Sequence, residues 1–216
     1  MTNTLEKTNT SKNSAVIAFI LTIAVGIAYQ LLGKTLSPDT PAILAYPLEA
    51  LFNLCLCGTI GYFFLRTEFL EQFKHFKLSV LLWGIVLTFA VGILFGQIYQ
   101  HLAGSVTENT IHSSISISMI LFRIPFMLLG EELISTNILI AVQKKGFSFP
   151  VATIVCGILF AFWHIPAYGF VPLQLILTLM PTRLALNYIW RKSNSVWVSW
   201  ICHYLFDCFA FLPYFI

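Results

Sequence analysis

Glu131 and Glu132 stand side by side in an apolar run, Leu128-Leu129-Gly130-Glu131-Glu132-Leu133-Ile134. Without them the stretch 124–142 reads as a membrane-spanning helix. An ionised carboxylate deep in hydrocarbon costs about 2.5–3.5 kcal/mol on insertion scales and more by other measures, so such groups need partners. His164, His203 and Asp207 also fall inside apolar segments. A carboxylate and an imidazole around one water make a general-base hydrolytic site, in which the glutamate takes a proton from water and a histidine orients it. A second histidine with an aspartate donates to a developing oxyanion, or completes a metal site. Glu131, His164 and His203 are the ligands a divalent metal such as zinc would take, so these residues leave both a metal-free and a zinc-dependent site open. The chain has no HExxH, which excludes a zincin arrangement. No serine sits in a nucleophile-elbow context, and Cys202 points about 100° away from His203 on a helix.

Elements that bring these groups together must be helices crossing a bilayer. The chain has 216 residues, of which 58% are hydrophobic and 10% charged, and its mean hydropathy is +0.84. A soluble domain carries about 25% charged residues, so this chain cannot coat a globular surface with polar groups. The fold class is all-α, a polytopic membrane helix bundle of about seven transmembrane helices around an intramembrane cavity. A net charge of +3 with no basic patch argues against nucleic acid as a partner. The cysteines lie in apolar stretches without zinc-like spacing and read as small apolar filler. Residues 1–13 read as a disordered cytoplasmic tail and 14–216 as a single integral-membrane domain. The first apolar run is too long for a signal-peptide core and reads as a retained span.

Hydropathy places spans at about 15–33, 42–65, 78–100, 113–142, 149–167, 172–190 and 195–213. The fourth is too long for one straight crossing. Pro125 suits the first turn of a helix, which leaves 111–122 as a separate interfacial or re-entrant piece and puts Arg123 near an interface. With the N-terminus cytoplasmic, one side holds Lys7, Lys12, Arg66, Lys74, Lys77, Lys144, Lys145, Arg191 and Lys192. The other holds Lys34, with Arg123 at its interface. The expected protein is therefore a multi-pass protein of the cell membrane, N-terminus inside and C-terminus outside. Trp163, Trp190, Trp197 and Trp200 read as interface anchors or lipid-facing mass. Asn187 and Arg183 lie where they can line the cavity, with snorkelling to the cytoplasmic interface the preferred reading for Arg183.

Depth ties the ionisable residues together. At 1.5 Å per helical residue, Glu132 lies roughly 18 Å above the boundary marked by Lys144, and His164 roughly 24 Å above Ser148. His203 and Asp207 lie roughly 12 Å and 18 Å above Ser195. Separate helices thus bring acids and imidazoles to the middle of a ~30 Å slab. His203 and Asp207 share a helix face at i, i+4, as do Phe160 and His164. Glu131 and Glu132 diverge by about 100°, so one is the candidate for chemistry and the other for holding a neighbour.

These residues, in this order, resemble the CPBP family of intramembrane proteases, the CAAX-processing and bacteriocin-processing enzymes also called the Abi family. The family pattern is EExxxR, then FxxxH, then HxxxN or HxxxD. Glu131-Glu132 matches the acidic pair, Phe160-Ala161-Phe162-Trp163-His164 the second motif, and His203-Tyr204-Leu205-Phe206-Asp207 the third. The resemblance covers about residues 113–213. The family's arginine falls at Thr136, with Arg123 or Arg183 as substitutes, and this departure points toward the short bacterial branch linked to bacteriocin maturation or self-immunity. The resemblance implies a helical bundle with a conical cavity opening in the membrane. It implies Glu131 as general base, His164 as its partner on the water, Glu132 as supporting acid, and His203 with Asp207 as transition-state stabilisers. It leaves the metal undecided, with a metal-free site preferred. The implied partners are the lipid bilayer and a peptide or prenylated-peptide substrate, with a bacteriocin or its leader among the candidates. The rival readings are a non-catalytic immunity protein that binds a bacteriocin, favoured by Thr136, and a proton-coupled transporter. Against the transporter stand the small size and the lack of paired, interrupted helices.

Overall fold

The computed structural model describes residues 2–35, 42–110 and 115–214, which are helical with no strand. Helix α1 spans Thr2–Thr35 and α2 Ala42–Ile60, continued by a π-helical turn over Gly61–Leu65. After the short α3 (Thr67–Glu71) comes α4 (Leu78–Ala103), which Gly104 ends in the left-handed conformation at φ 74°. Then follow α5 (Ile117–Phe122), α6 (Ile124–Lys144), α7 (Phe149–Trp163) and α8 (Ile165–Tyr168). The rod before the last is built in pieces: α9 (Pro172–Gln174), a π-helical turn (Leu175–Leu179) and α10 (Met180–Ser193). It ends at Asn194, also left-handed, and α11 (Val196–Phe211) completes the chain before a final 3₁₀ turn.

Among the described residues, five helices are long and apolar enough to cross a membrane: Lys12–Leu31, Pro47–Leu65, Leu78–Ala103, Ile124–Lys144 and Phe149–Tyr168. The chain is a multi-pass membrane protein. Of the seven expected spans, the sixth falls on the segmented Pro172–Ser193 rod, whose apolar run is broken by Arg183, Asn187 and Arg191, and the seventh on the shorter apolar helix α11; neither is among those five. The expected break before Pro125 is present, with α5 separate from an α6 that carries this proline in its first turn. The backbone is helical from Thr2, including the stretch expected as a disordered cytoplasmic tail, 1–13. No glycine or proline precedes Gly26, so nothing in the sequence stops the first span from propagating backwards.

Helix α6 is the axis of the bundle. Within its spanning window 72% of residues are buried, against 22–33% in the other four. It packs against α1, α2, α7 and α11, while α10 packs against α4, α7 and α11. Helix α6 meets the α2 backbone at Gly130, where a Cβ would lie 2.9 Å from both Asn53 Cβ and the Leu54 backbone nitrogen. A small residue at this crossing lets two membrane helices meet backbone to backbone. It directly precedes Glu131, so the same contact that seats α2 sets the height of the acidic pair.

The tryptophans depart from their expected role. Trp190 is buried and donates to Gln72 Oε1 at 3.1 Å. Trp197 donates to the Phe73 carbonyl at 3.1 Å, and Trp200 to the Pro125 carbonyl at 2.8 Å. Trp163 packs so closely on α1 that a Cβ at Gly26 would fall 1.7 Å from its ring. An indole with a partner for its N–H is a tie between helices as readily as an interface anchor.

Candidate active site

Four helices contribute to one buried polar cluster. Arg183, on α10, is wholly buried and grips Glu132 of α6 with both terminal nitrogens, Nη1 to Oε1 at 2.6 Å and Nη2 to Oε2 at 3.0 Å. Its Nε donates to Asn187 Oδ1, one turn on, at 3.0 Å. Asn187 in turn donates to Thr153 Oγ1 of α7 at 2.8 Å. Each of the three guanidinium nitrogens thereby has a partner, the kind of arrangement in which a buried ion pair is best compensated. His203 of α11 approaches the same carboxylate, with Nδ1 2.9 Å from Glu132 Oε1.

This corrects the snorkelling reading of Arg183. The side chain turns inward because a carboxylate lies at its depth, and a fully compensated pair outweighs reaching for the interface. Arg183 occupies the role left open by Thr136, which is itself buried and bonds only weakly back to the Leu133 carbonyl, at 3.4 Å.

The other members face a cavity of about 770 Å³, lined among others by Glu131, His164, Arg183, His203 and Asp207. The α6 register explains the division between the glutamates. Glu132 is buried at 0% exposure toward α10 and α11, while Glu131, about 100° around the helix, is only half-buried and belongs to the cavity wall. Glu131 makes no hydrogen bond to a described side chain. His164 follows the last turn of α7, and its Nδ1 lies 2.8 Å from the Phe160 carbonyl. A carbonyl only accepts, so Nδ1 carries the proton and Nε2 keeps its lone pair. His203 Nδ1 faces a carboxylate and is a donor for the same reason. Its Nε2 lies 4.0 Å from Asp207 Oδ1, beyond direct hydrogen-bond length and near enough for an electrostatic interaction or a bridging water.

Phe160, the first residue of the FxxxH spacing, packs against three members of the site. Its ring centroid is 5.4 Å from the Arg183 guanidinium carbon, 4.5 Å from the His164 ring and 6.2 Å from the His203 ring. A quadrupole under the guanidinium adds to the pair's stability in this dry setting.

The five residues singled out by spacing therefore gather in one place: Glu131, His164, His203 and Asp207 at the cavity, Glu132 directly behind it. As a metal site they fit poorly. Among the described residues no three His, Cys, Asp or Glu side chains are grouped to hold an ion. Glu132 is taken up by Arg183, and a fixed guanidinium among the donors opposes a second cation there. Glu131, His164 and His203 accordingly do not make a zinc-binding set as they are arranged here.

Several cavity residues had no signal in the sequence. Tyr29 and Gln30 come from α1, where Gln30 Nε2 donates to the Trp163 carbonyl at 2.8 Å. Arg123, which the sequence placed near an interface, lines the wall while ion-paired with Glu49 of α2, a partner the sequence did not mark. Gln174, buried, accepts from Thr107 N at 2.9 Å and donates to Thr107 O at 2.7 Å, clasping the loop after α4 onto the cavity rim.

Comparison with known proteins agrees with the motifs. Residues 113–209 match the family model described as Rce1-like, type II CAAX prenyl endopeptidase Rce1-like. The chain thus carries a Rce1-like segment, from a family of peptidases, and that segment contains all five candidate residues. No curated protein and no solved structure matches the chain.

Proposed function

We propose that this protein is an intramembrane endopeptidase that hydrolyses a peptide bond near the C-terminus of a prenylated substrate, with Glu131 and His164 activating the water. The observation that carries the reading is the contrast between two adjacent acids. Glu132 is locked to Arg183 and His203, whereas Glu131 opens onto a cavity that also holds an imidazole with a free lone pair.

In this mechanism a water sits between Glu131 and His164. It donates one hydrogen bond to His164 Nε2, which orients it, and gives its other proton to the Glu131 carboxylate as its oxygen attacks the scissile carbonyl. The new C–O bond creates an oxyanion, which accepts a hydrogen bond from Nε2–H of a protonated His203, whose Nδ1–H is held by Glu132 and whose charge is supported by the nearby Asp207 carboxylate. Glu131 then returns its proton to the leaving nitrogen as the C–N bond breaks. Arg183 does not touch the substrate; it keeps Glu132 charged and in place, so that His203 keeps its orientation.

Arg183 also supplies the charge whose absence at Thr136 favoured the binding-only immunity reading, so catalysis is the preferred reading. The basic loops support an N-terminus on the cytoplasmic side. Lys77 donates to the Lys192 carbonyl at 3.1 Å, and Val196 N to the Gln72 carbonyl at 3.1 Å, so the loops bearing Lys74, Lys77, Arg191 and Lys192 share one end of the bundle.

The test is cleavage by the purified protein in liposomes. A peptide ending in a farnesylated cysteine followed by two aliphatic residues and a terminal residue is expected to lose everything after the cysteine, as read by mass spectrometry. The same peptide without the prenyl chain is expected to be cut at least about tenfold more slowly, because the chain's methylenes each contribute about 0.8 kcal/mol of partitioning toward the membrane. Absence of cleavage in either peptide would overturn the reading.

A further inference from the structure

We infer that Arg123 binds the free C-terminal carboxylate of the substrate and sets how far from the chain end the peptide is cut. The inference rests on the peptidase reading above and adds a specificity residue to it.

Arg123 stands immediately before α6, and Arg123, Met127 and Glu131 all line the cavity. These positions follow each other at i, i+4 and i+8, so they run along one face of the helix. Eight residues of helix rise about 12 Å. An extended peptide covers about 3.3–3.6 Å per residue. A chain whose scissile carbonyl lies at Glu131 would therefore reach Arg123 with its terminal carboxylate about three to four residues later.

Charge selects the same end. The cationic side chains among the described cavity residues are Arg123 and Arg183. Arg183 is committed to Glu132 and Asn187 through Nη1, Nη2 and Nε and is 0% exposed. Arg123 is 15% exposed while paired with Glu49, itself 19% exposed, so the pair sits at the wall rather than behind it. Glu49 fixes the guanidinium and neutralises it when the cavity is empty. A guanidinium has five donors in a planar fork and bridges two carboxylates, which a lysine does less well. Of the acidic residues in the lining, Glu131 and Asp207 stand with the catalytic groups and repel an anion there, while Glu108 lies at the rim beside the Thr107–Gln174 clasp. A substrate with a free carboxylate is thus oriented in one direction only, terminus toward Arg123 and scissile bond toward Glu131.

The test compares one prenylated peptide as its free acid and as its C-terminal carboxamide, with the protein in liposomes. The wild-type protein is expected to favour the acid by about tenfold or more in kcat/KM, about 1.4 kcal/mol per decade, mostly through KM. In Arg123→Gln the two substrates should converge, and Arg123→Lys should retain part of the preference. Equal hydrolysis of acid and amide by the wild-type protein contradicts the inference, and that comparison needs no folded variant. A preference undiminished in Arg123→Gln contradicts it as well. If the wild-type protein cleaves neither peptide, the peptidase reading itself fails and this inference falls with it.

Discussion

Replacing Glu131 by glutamine is expected to lower peptide turnover by about 10²–10⁴-fold, the usual contribution of a positioned general base. The amide keeps the shape of the carboxyl group but cannot take the proton from water. The protein should remain folded, because Glu131 makes no hydrogen bond to a described side chain and its removal strands no partner. The change should fall on kcat rather than KM, since the proton transfer occurs only on the way to the transition state. Turnover measured in liposomes, beside the melting temperature in detergent, separates lost chemistry from lost structure. Full activity in this variant would remove Glu131 from the mechanism.

The second large effect concerns stability. Arg183→Leu leaves Glu132 buried at 0% exposure with only His203 beside it. Breaking a buried pair by removing one partner destabilises by about 3–5 kcal/mol, because a charge is left uncompensated. The variant is expected to melt far below the wild-type protein and to lose activity. The double variant Arg183→Leu with Glu132→Leu should recover most of the stability, since apolar replacement of both partners is close to neutral. It should not recover activity, because the His203 ring loses the carboxylate that orients it. Thermal unfolding of the single and double variants in the same detergent checks this, and a single variant as stable as the wild-type protein would contradict the assigned pairing.

The chemistry-bearing residues were readable from sequence because the membrane makes them conspicuous. Glu131, Glu132, His164, His203 and Asp207 are polar groups in apolar helices, and rise per residue alone brings them to one depth. The helical class followed from composition for the same reason, as did the break before Pro125. What sequence could not supply was pairing. Arg183 lies eight residues from Arg191, close enough to an interface to suggest snorkelling, and only the fold shows a carboxylate waiting at its level. Glu49, Tyr29, Gln30 and Gln174 are single polar residues without a spacing pattern, so their meaning depends on which helix they meet. The tryptophans misled because an amphipathic ring suits both an interface and a helix crossing. The sixth span was placed at about 172–190, close to the Pro172–Ser193 rod, but its π-helical turn over Leu175–Leu179 left no mark in the hydropathy.

The central claim is that Glu131 and His164 act together on one water inside the membrane. Residues that work as a unit are strongly non-additive, each single removal costing nearly as much as removing both. The direct measurement is kcat for a prenylated peptide in liposomes with Glu131→Gln, His164→Ala and the double variant. The account predicts that each single variant loses turnover by about the same 10²–10⁴-fold and that the double variant loses little more. Losses that multiply in the double variant, or a single variant that retains wild-type turnover, would contradict it.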